Sequence, residues 1–403
     1  MSASPFSVPP YPVVRLKPKA NTAALNAGAP WVYADELVTD RRTRRLPPGS
    51  LAVLEDAGRT PMALVTVNPE SKIIARVMDR DPGAVPDADW LRARIERALS
   101  LRSRLYAEPF YRLVHAEADG LPGVIIDRFG DTLVMQPNAA WAEQASETLA
   151  DILCEVTGAS CVIKNASGRA RGLEGLDDVS SVMRGEMPGP IEVPMNGATY
   201  IADVEGGQKT GLFYDQRDNH AFAAKLSEGA RVLDVFSHVG GFSLAALAAG
   251  AASGVAVDGS EAALALAEQG AQASGLADRF ETRKGDAFKV MEALIAEGAQ
   301  FDVVVADPPA FAPNKQALAN GLTAYARVAS LASKLVAPGG YLVLCSCSHA
   351  ADVTKFRQAS LRGIARAERA AQLLHTGAAG PDHPMHPALA ESGYLKSLFF
   401  RLD

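Results

Sequence analysis

Apolar runs alternate with amphipathic segments through the second half of the chain. After a hairpin-like lead-in at about residue 191, the pattern predicts strands at residues 231–234, 254–258, 280–283, 301–306 and 341–345. The segments between them predict helices at residues 242–249, 261–274, 286–298 and 322–335. Because neighbouring parallel strands need a crossover connection, usually a helix, this alternation predicts a doubly wound α/β domain over residues 191–403.

The first half of the chain has a different pattern. Short strands are predicted at residues 13–16, 31–33, 50–54, 62–67 and 73–77, with turn residues between them. Such closely spaced strands are typical of a small β-barrel, which we assign to residues 1–80. An amphipathic helix is predicted at residues 90–106, and the mixture of strands and helices that follows predicts a central α+β domain over residues 85–190.

Composition narrows the class of protein. The chain has 403 residues, of which 48% are hydrophobic, and only four cysteines, too few for a disulfide framework. No apolar run approaches the roughly 18–20 residues of a membrane helix, and the first residues lack the features of a secretory signal. We therefore expect a cytoplasmic protein that does not bind membranes. Cys345 and Cys347 are too close for an ordinary zinc half-site, so no metal is expected.

Charge is distributed unevenly along the chain. The net charge is −6, but residues 1–105 contain 16 Lys and Arg against 11 Asp and Glu, or +5, which leaves −11 for the remainder. A solvated surface would explain any single basic residue, but their clustering in one quarter of the chain favours a nucleic-acid partner. The predicted RNA-binding residues are Lys17, Lys19, Arg41, Arg42, Arg44 and Arg45. Arginines 92, 94, 97, 102 and 104 on the predicted helix extend this basic group.

Acidic residues recur where the predicted parallel strands end. Asp234 precedes a loop that contains Gly240 and Gly241, and Asp258 ends the next strand. Ligands of open α/β sheets bind beyond the carboxyl ends of the strands, where glycines allow close approach and an acid can accept hydrogen bonds from ribose. Asp286 and Asp307 follow later strands. Each acid alone also suits a helix N-cap, Asp286 best of all. Because the loop lacks the third glycine of dinucleotide folds, the set favours S-adenosylmethionine over NAD.

At these residues the chain resembles a known family. The segment from Asp234 through Gly240 and Gly241 looks like the first motif of RNA pyrimidine C5-methyltransferases. Four other segments resemble the PUA-linked class I methyltransferases that make 5-methylcytosine in large-subunit ribosomal RNA. They are residues 206–219, the segment Cys345-Ser-Cys347-Ser-His349, residues 382–384 and residues 394–396. The resemblance implies an N-terminal PUA RNA-binding domain and a C-terminal Rossmann-like methyltransferase domain.

The resemblance and the strand-end pattern together define a predicted cofactor site. The lead-in loop could fold over the cofactor or the RNA backbone, or it could be a purely structural hairpin. The cofactor-binding candidates are Lys209, Thr210, Phe213, Gln216, Arg217, Asp234, Phe236, Ser237, Gly240, Gly241, Asp258, Asp286 and Asp307.

A thiol beside a carboxylate suggests covalent chemistry. Carbon 5 of cytosine is a poor nucleophile, and a thiolate added to carbon 6 activates it. Cys347 is the predicted nucleophile because it lies furthest beyond the strand. Cys345 is expected inside the strand and buried, and a role as the nucleophile or the releasing group is its alternative. Asp307 is the predicted partner of the base edge near N3. A base inside a helix cannot reach such a pocket, so the target must be unpaired or flipped out.

Three other functions stay open at this point. A uracil C5-methyltransferase would share the thiol chemistry. A purine amino- or N-methyltransferase could use the Asp307-Pro308-Pro309 loop alone, although Ala310 stands where an aromatic residue would stack on the base. A non-catalytic RNA-binding assembly factor could retain the same fold without the reaction. Association of two copies into a homodimer is also open.

Overall fold

The computed structural model describes residues 9–205 and 211–403, apart from the Arg169 side chain. The chain folds into two compact units. The first contains the described residues up to Gly189 and the segment Pro381–Ser392, and the second contains the rest.

Ten strands and five α-helices make up the regular structure of the first unit. The strands are β1 (Val13–Arg15), β2 (Trp31–Tyr33), β3 (Ser50–Glu55), β4 (Pro61–Val67), β5 (Ile73–Asp79), β6 (Phe110–His115), β7 (Val124–Phe129), β8 (Thr132–Pro137), β9 (Cys161–Lys164) and β10 (Ser181–Arg184). The helices are α1 (Thr22–Asn26), α2 (Ala88–Leu105), α3 (Ala140–Gln144), α4 (Ser146–Thr157) and α5 (Arg169–Leu173).

The N-terminal strands form the predicted barrel. Their order is β1-β3-β4-β5-β2, with β1 parallel to β3 and the other neighbours antiparallel. The segment after β2 closes the sheet, because Lys17 N donates to Glu36 O and Val38 N donates to Arg15 O, both at 2.8 Å. Apolar side chains that alternate along the strands fill the interior: Val14, Leu16, Val32, Leu37, Leu54, Val65 and Ile74.

The central part of the first unit contains a second sheet, ordered β10-β9-β8-β7-β6. Helices α3 and α4 follow each other directly but are separate, because Ala145 leaves the helical conformation between them. The core around Trp141, Leu149 and Leu153 is buried against this sheet.

Two of the α2 arginines bind partners within the first unit, whereas Arg97 and Arg104 are exposed. Arg102 is fully buried and binds both oxygens of Asp119 at 2.7 and 2.8 Å. Arg94 lies over the Trp90 ring and pairs with Asp79 at 2.8 Å. A buried guanidinium needs a carboxylate to offset its desolvation, so these charges stabilise the unit. The number of arginines can be read from the sequence, but which of them are buried against the rest of the unit cannot.

Nine strands and six α-helices make up the regular structure of the second unit's described residues. The strands are β11 (Ile191–Met195), β12 (Ala198–Ala202), β13 (Arg231–Val235), β14 (Ser253–Asp258), β15 (Phe280–Lys284), β16 (Phe301–Ala306), β17 (Val336–Ser346), β18 (Ala371–Gly377) and β19 (Lys396–Leu402). The helices are α6 (Arg217–Ala224), α7 (Gly241–Ala248), α8 (Glu261–Ala273), α9 (Ala287–Ala296), α10 (Leu318–Leu335) and α11 (Val353–Arg366).

The predicted doubly wound sheet is confirmed. Its order is β15-β14-β13-β16-β17-β19-β18, in which the first five strands are parallel and β19 runs antiparallel to its neighbours. Both faces are covered, so successive residues of one strand enter different cores: Val304 packs with α10 and α11, whereas Val303 and Val305 pack with α7. Such two-sided burial explains why these strands appear as continuous apolar runs.

Strand β17 begins earlier than the sequence predicts. Pro338-Gly339-Gly340 is a turn signal, yet these residues form a bulge inside a strand that starts at Val336. The register with β16 shifts there, since Phe301 faces Val336 but Val303 faces Tyr341. The extra residues are accommodated at the far end of the strand, so the end that carries the cysteines keeps regular pairing with β16.

Within residues 9–205 and 211–403, no helix combines the length and apolar character that crossing a bilayer requires. The same part of the chain contains no group of three His, Cys, Asp or Glu side chains arranged to hold a metal ion.

Candidate active site

Five consecutive parallel strands place the predicted chemistry at one edge of the sheet. Across the sheet the strands are β15, β14, β13, β16 and β17. The side chains at their carboxyl ends, in that order, are Asp286, Asp258, Asp234, Asp307 and Cys347. Asp307 and Cys347 follow the neighbouring strands β16 and β17. Adjacent strands are about 4.8 Å apart, so these two side chains start close together. The strand order reverses between β13 and β16, which is where open α/β sheets bind their ligands.

The loop between β13 and α7 has an unusual backbone. Phe236 and His238 adopt positive φ angles of 63° and 51°, and Gly240 one of 79°. A left-handed residue other than glycine costs about 1–3 kcal/mol and persists only where surrounding contacts hold it. Here Ser237 N donates to Val257 O at 3.0 Å, and His238 N donates to a carboxylate oxygen of Asp258 at 2.9 Å. The backbone is therefore strained in this loop, as is common at binding sites.

The glycine pair in this loop has two separate functions. Gly240 supplies the left-handed turn before α7. At Gly241, a Cβ atom would lie 2.6 Å from the ring of His220, so only glycine fits there. His220 is buried under the loop, and burial lowers the pKa of its imidazole to about 3, which keeps the ring neutral. The second glycine thus lets the helix start close to a packed, uncharged ring.

The three acids near this loop have different environments. Asp234 is completely buried, one oxygen accepts from Ser243 N at 3.0 Å, and burial raises the pKa of the carboxyl to about 6. Asp258 is half-buried and accepts from His238 N and from Ser260 N at 2.8 Å. Asp286 is exposed and caps α9 by accepting from Lys289 N at 3.0 Å. Asp234 and Asp258 therefore fix the loop, and Asp286 has the capping contact that its position predicts.

The lead-in segment connects to Asp307. The Gln216 side chain donates from Nε2 to Asp307 Oδ2 at 2.9 Å, and its Oε1 accepts from Asn219 Nδ2 at 2.6 Å. Phe213 contacts the ring of His238 edge-on, with centroids 5.0 Å apart. Arg217 is buried, with its guanidinium 5.3 Å from the Tyr214 ring. Lys209 and Thr210 lie outside the described residues.

The two cysteines at the end of β17 differ as their positions predict. Cys345 lies within the strand, is buried, and contacts Ser397 Oγ at 3.2 Å. Burial, together with the negative charge of Asp307, raises the pKa of the Cys345 thiol well above its usual value. Cys347 follows the last strand residue and is half-buried. A thiol that stays protonated is a poor nucleophile, so this comparison favours Cys347.

Sequence reasoning missed one charged group beside Cys347. Lys396 begins β19 and is 7% exposed. Its Nζ donates to Ser348 O and Tyr394 O, each at 2.7 Å. Lys396 stands inside one of the segments that carry the family resemblance, but nothing in the local sequence indicates that its side chain turns back towards the β17 turn.

The basic cluster of the N-terminal barrel is exposed. Arg44 and Arg45 belong to a single 3-10 turn, Thr43–Arg45, which Asp40 stabilises by accepting from Arg42 N and Thr43 N at 2.9 Å. The four arginine side chains between residues 41 and 45 are exposed, and none forms an ion pair within the part of the chain that the structure describes. Lys19 is exposed, and Lys17 donates to Asp35 O at 2.9 Å.

Comparison with known families decides the class of protein. A family model described as S-adenosylmethionine-dependent methyltransferase matches residues 140–401, and one described as a PUA-like domain matches residues 14–80. The chain belongs to the S-adenosylmethionine-dependent methyltransferase family. The predicted architecture, a PUA-like domain followed by a Rossmann-like class I methyltransferase fold, is confirmed.

Relatives with a named ribosomal RNA substrate resemble this chain over nearly its whole length. A protein of Shewanella denitrificans named ribosomal RNA large subunit methyltransferase I is 35% identical over 394 residues, 96% of this chain and 99% of the relative. One of the same name from Shewanella amazonensis is 36% identical over the same shares. A solved structure from Streptococcus mutans, described as a SAM-dependent methyltransferase, shares the fold with a TM-score of 0.82 at 17% identity, covering 97% of this chain and 100% of that chain.

The residues at the sheet edge fit the cofactor of this family. S-adenosylmethionine has ribose hydroxyls, which need an acceptor, and positively charged sulfonium and ammonium groups, which suit a row of carboxylates. Ser237 Oγ and Asp234 Oδ1 are buried polar atoms without a hydrogen-bond partner among the described residues. Buried polar atoms of this kind are rare in native proteins and point to a missing ligand or water.

Proposed function

We propose that the methyltransferase forms 5-methylcytosine in large-subunit ribosomal RNA, with Cys347 as covalent nucleophile. The name shared by relatives that match 96% of the chain supports the RNA substrate. The observation that carries the chemistry is the position of the half-buried Cys347, directly after β17. Strand β17 pairs with β16, and Asp307 directly follows β16. Methyl transfer to an amino nitrogen needs no thiol, whereas activation of carbon 5 does.

In the proposed reaction the Cys347 thiolate adds to carbon 6 of cytosine. A carbon–sulfur bond forms, and the electron pair of the C5–C6 double bond is displaced so that carbon 5 becomes nucleophilic. S-adenosylmethionine, when bound, would supply the methyl group from its sulfonium, and carbon 5 would take that group as the donor's carbon–sulfur bond breaks. A base removes the proton from carbon 5, the C5–C6 double bond reforms, and the Cys347 thiolate leaves.

Asp307 has the role of binding the base edge in this proposal. Addition at carbon 6 raises electron density at N3, so an acid placed there stabilises the adduct by donating a proton, and it takes that proton back when the thiolate leaves. The hydrogen bond from Gln216 Nε2 at 2.9 Å holds the carboxyl in one orientation, and Asn219 holds the Gln216 amide in turn. Gln216, which the sequence suggested as a cofactor contact, thus acts through Asp307.

The cofactor is assigned to the β14–β13–β16 side of the edge. Asp258 would accept from the ribose hydroxyls, since a carboxylate oxygen retains a second lone pair after accepting one backbone N–H. The loop of Phe236, Ser237, Gly240 and Gly241 would lie against the amino-acid portion, and Asp286 near the adenine amino group. Asp234 shapes this loop from below, because it is fully buried.

The N-terminal barrel is proposed to hold the RNA backbone, while the target base is unpaired or flipped out. Replacing Arg41, Arg42, Arg44 and Arg45 together by alanine should lower RNA affinity and reduce its dependence on salt. Each lost phosphate contact reduces the slope of log K against log salt by roughly 0.7–0.9. Binding titrations at several salt concentrations measure this slope.

A matched control for this variant lies on α11. Arg357, Arg362 and Arg366 are also exposed, and replacing them by alanine should leave the slope unchanged. If the salt slope of the barrel variant equals that of the wild type, those arginines do not contact phosphate.

The product nucleoside tests the proposed function directly. Unmodified large-subunit ribosomal RNA is incubated with the enzyme and S-adenosylmethionine and then digested to nucleosides. Chromatography with mass spectrometry should identify 5-methylcytidine among them. Formation of 5-methyluridine or of a methylated purine would contradict the cytosine assignment. Small-subunit RNA serves as the control substrate and should remain unmodified.

A further inference from the structure

We propose that Lys396 is a positioning residue for Cys347, which fixes the turn that carries the thiol and provides a positive charge beside it. This inference rests on the proposed function, in which Cys347 attacks the base. The residue is contributed by β19, a strand that takes no other part in the reaction scheme.

The contacts of Lys396 explain the first part of this role. Lys396 pairs with Ser346 in the β17–β19 ladder. Ser346 is the residue that directly precedes Cys347. Its Nζ reaches Ser348 O, the carbonyl one residue after Cys347, at 2.7 Å. The backbone on both sides of the thiol is thus tied to the same lysine, by a main-chain pairing and by a side-chain hydrogen bond.

Hydroxyl groups complete the support of the turn. Tyr325 OH contacts Ser348 Oγ at 2.7 Å and accepts from Ser346 Oγ at 2.9 Å. Ser348 Oγ also accepts from Ala312 N at 2.9 Å. These groups are neutral at neutral pH, so they orient the turn without stabilising an anion by charge.

The charge of Lys396 explains the second part of the role. A lysine that is only 7% exposed and whose ammonium donates to two neutral carbonyls needs an anion nearby to offset its desolvation. Burial lowers the pKa of Lys396 to about 8, and Cys347 and Asp352 oppose that shift as its two negative partners. Asp352 is exposed and is paired with Lys355, so the half-buried Cys347, in its thiolate form, is the more buried of the two partners. Other titratable groups around the turn are Tyr325, His349 and Tyr394. Asp307 follows the neighbouring strand β16, and its negative charge would act against the thiolate.

Proximity to an ammonium lowers the pKa of a thiol below its free value of about 8.5. Lys396 keeps its proton below about pH 8 and loses it above that. The Cys347 thiolate is therefore favoured at neutral pH, where Lys396 is charged. A lysine that only braced the backbone would not affect the titration of the thiol.

Site-resolved alkylation of the full chain tests this inference. Iodoacetamide labelling of Cys347 is followed by peptide mass spectrometry across pH 5–10, in the wild type and in Lys396→Met and Lys396→Arg. We expect Lys396→Met to raise the apparent pKa of Cys347 by at least about one unit and to slow labelling at pH 7 about tenfold. Lys396→Arg should restore most of the difference. Lys334→Met, at an exposed position on α10, is the matched control.

The wild-type titration keeps the inference falsifiable should Lys396→Met not fold. An apparent Cys347 pKa at or above that of a free thiol overturns the proposal, as does an unchanged titration in a folded Lys396→Met variant. The activity of Cys347→Ala separates the two levels of the argument. If that variant still methylates RNA, the proposed function is wrong even where the lysine shifts the thiol. If it is inactive and the titration is unchanged, only the role of Lys396 is wrong.

Discussion

Replacing Cys347 by alanine is expected to abolish methyl transfer to RNA while leaving S-adenosylmethionine binding intact. The variant keeps the cofactor side of the sheet edge but removes the only group proposed to activate carbon 5. Loss of a covalent nucleophile lowers turnover by at least about four orders of magnitude. Transfer of a labelled methyl group measures the reaction, and calorimetric titration with S-adenosylmethionine measures binding.

Two variants provide the contrast for this result. Cys345→Ala makes the same change two residues earlier, at a buried thiol whose pKa is raised, and should retain methyl transfer. Asp258→Ala should show the opposite defect, weaker cofactor binding with the thiol intact. Appreciable activity in Cys347→Ala, or loss of activity in Cys345→Ala alone, would show that Cys347 is not the nucleophile.

Asp307→Asn is expected to lower the maximal rate by roughly 10²- to 10⁴-fold, the contribution typical of a positioned acid or base. Asparagine keeps the shape and can still accept the Gln216 hydrogen bond, but it cannot donate a carboxyl proton to N3. Single-turnover methylation at saturating S-adenosylmethionine measures the step.

A second substitution separates this chemical role from a structural one. Gln216→Ala removes the group that orients Asp307 and should cost less than Asp307→Asn, with cofactor affinity retained in both. A full rate in Asp307→Asn would show that the carboxylate supports the Pro308-Pro309 loop and takes no part in proton transfer.

Much of the fold follows from local pattern. Strand β16 is an uninterrupted apolar run because Val303, Val304 and Val305 are buried on alternate faces of one sheet, and β14 and β13 follow the same rule. Once the strands are parallel, their carboxyl ends share an edge. For this reason Asp258, which ends β14, and Cys347, which follows β17, could be assigned to one site from sequence alone.

Contacts between distant segments are not encoded in local pattern. Arg102 resembles the other arginines of α2, yet its partner is the buried Asp119, 17 residues away. Lys396 and Ser348 are 48 residues apart and meet only because β19 enters the sheet beside β17. Gln216 reaches Asp307 across 91 residues. Such side chains are positioned by tertiary packing, which periodicity and spacing do not report.

The covalent adduct is the central claim, and trapping it is the most direct test. RNA carrying 5-fluorocytidine at the target position cannot lose a proton from carbon 5, so the thiol cannot leave after methyl transfer. The wild type should give a protein–RNA complex that survives denaturation and maps to Cys347, and Cys347→Ala should give none. If the wild type methylates ordinary RNA but yields no stable complex with the fluorinated RNA, the covalent mechanism is contradicted.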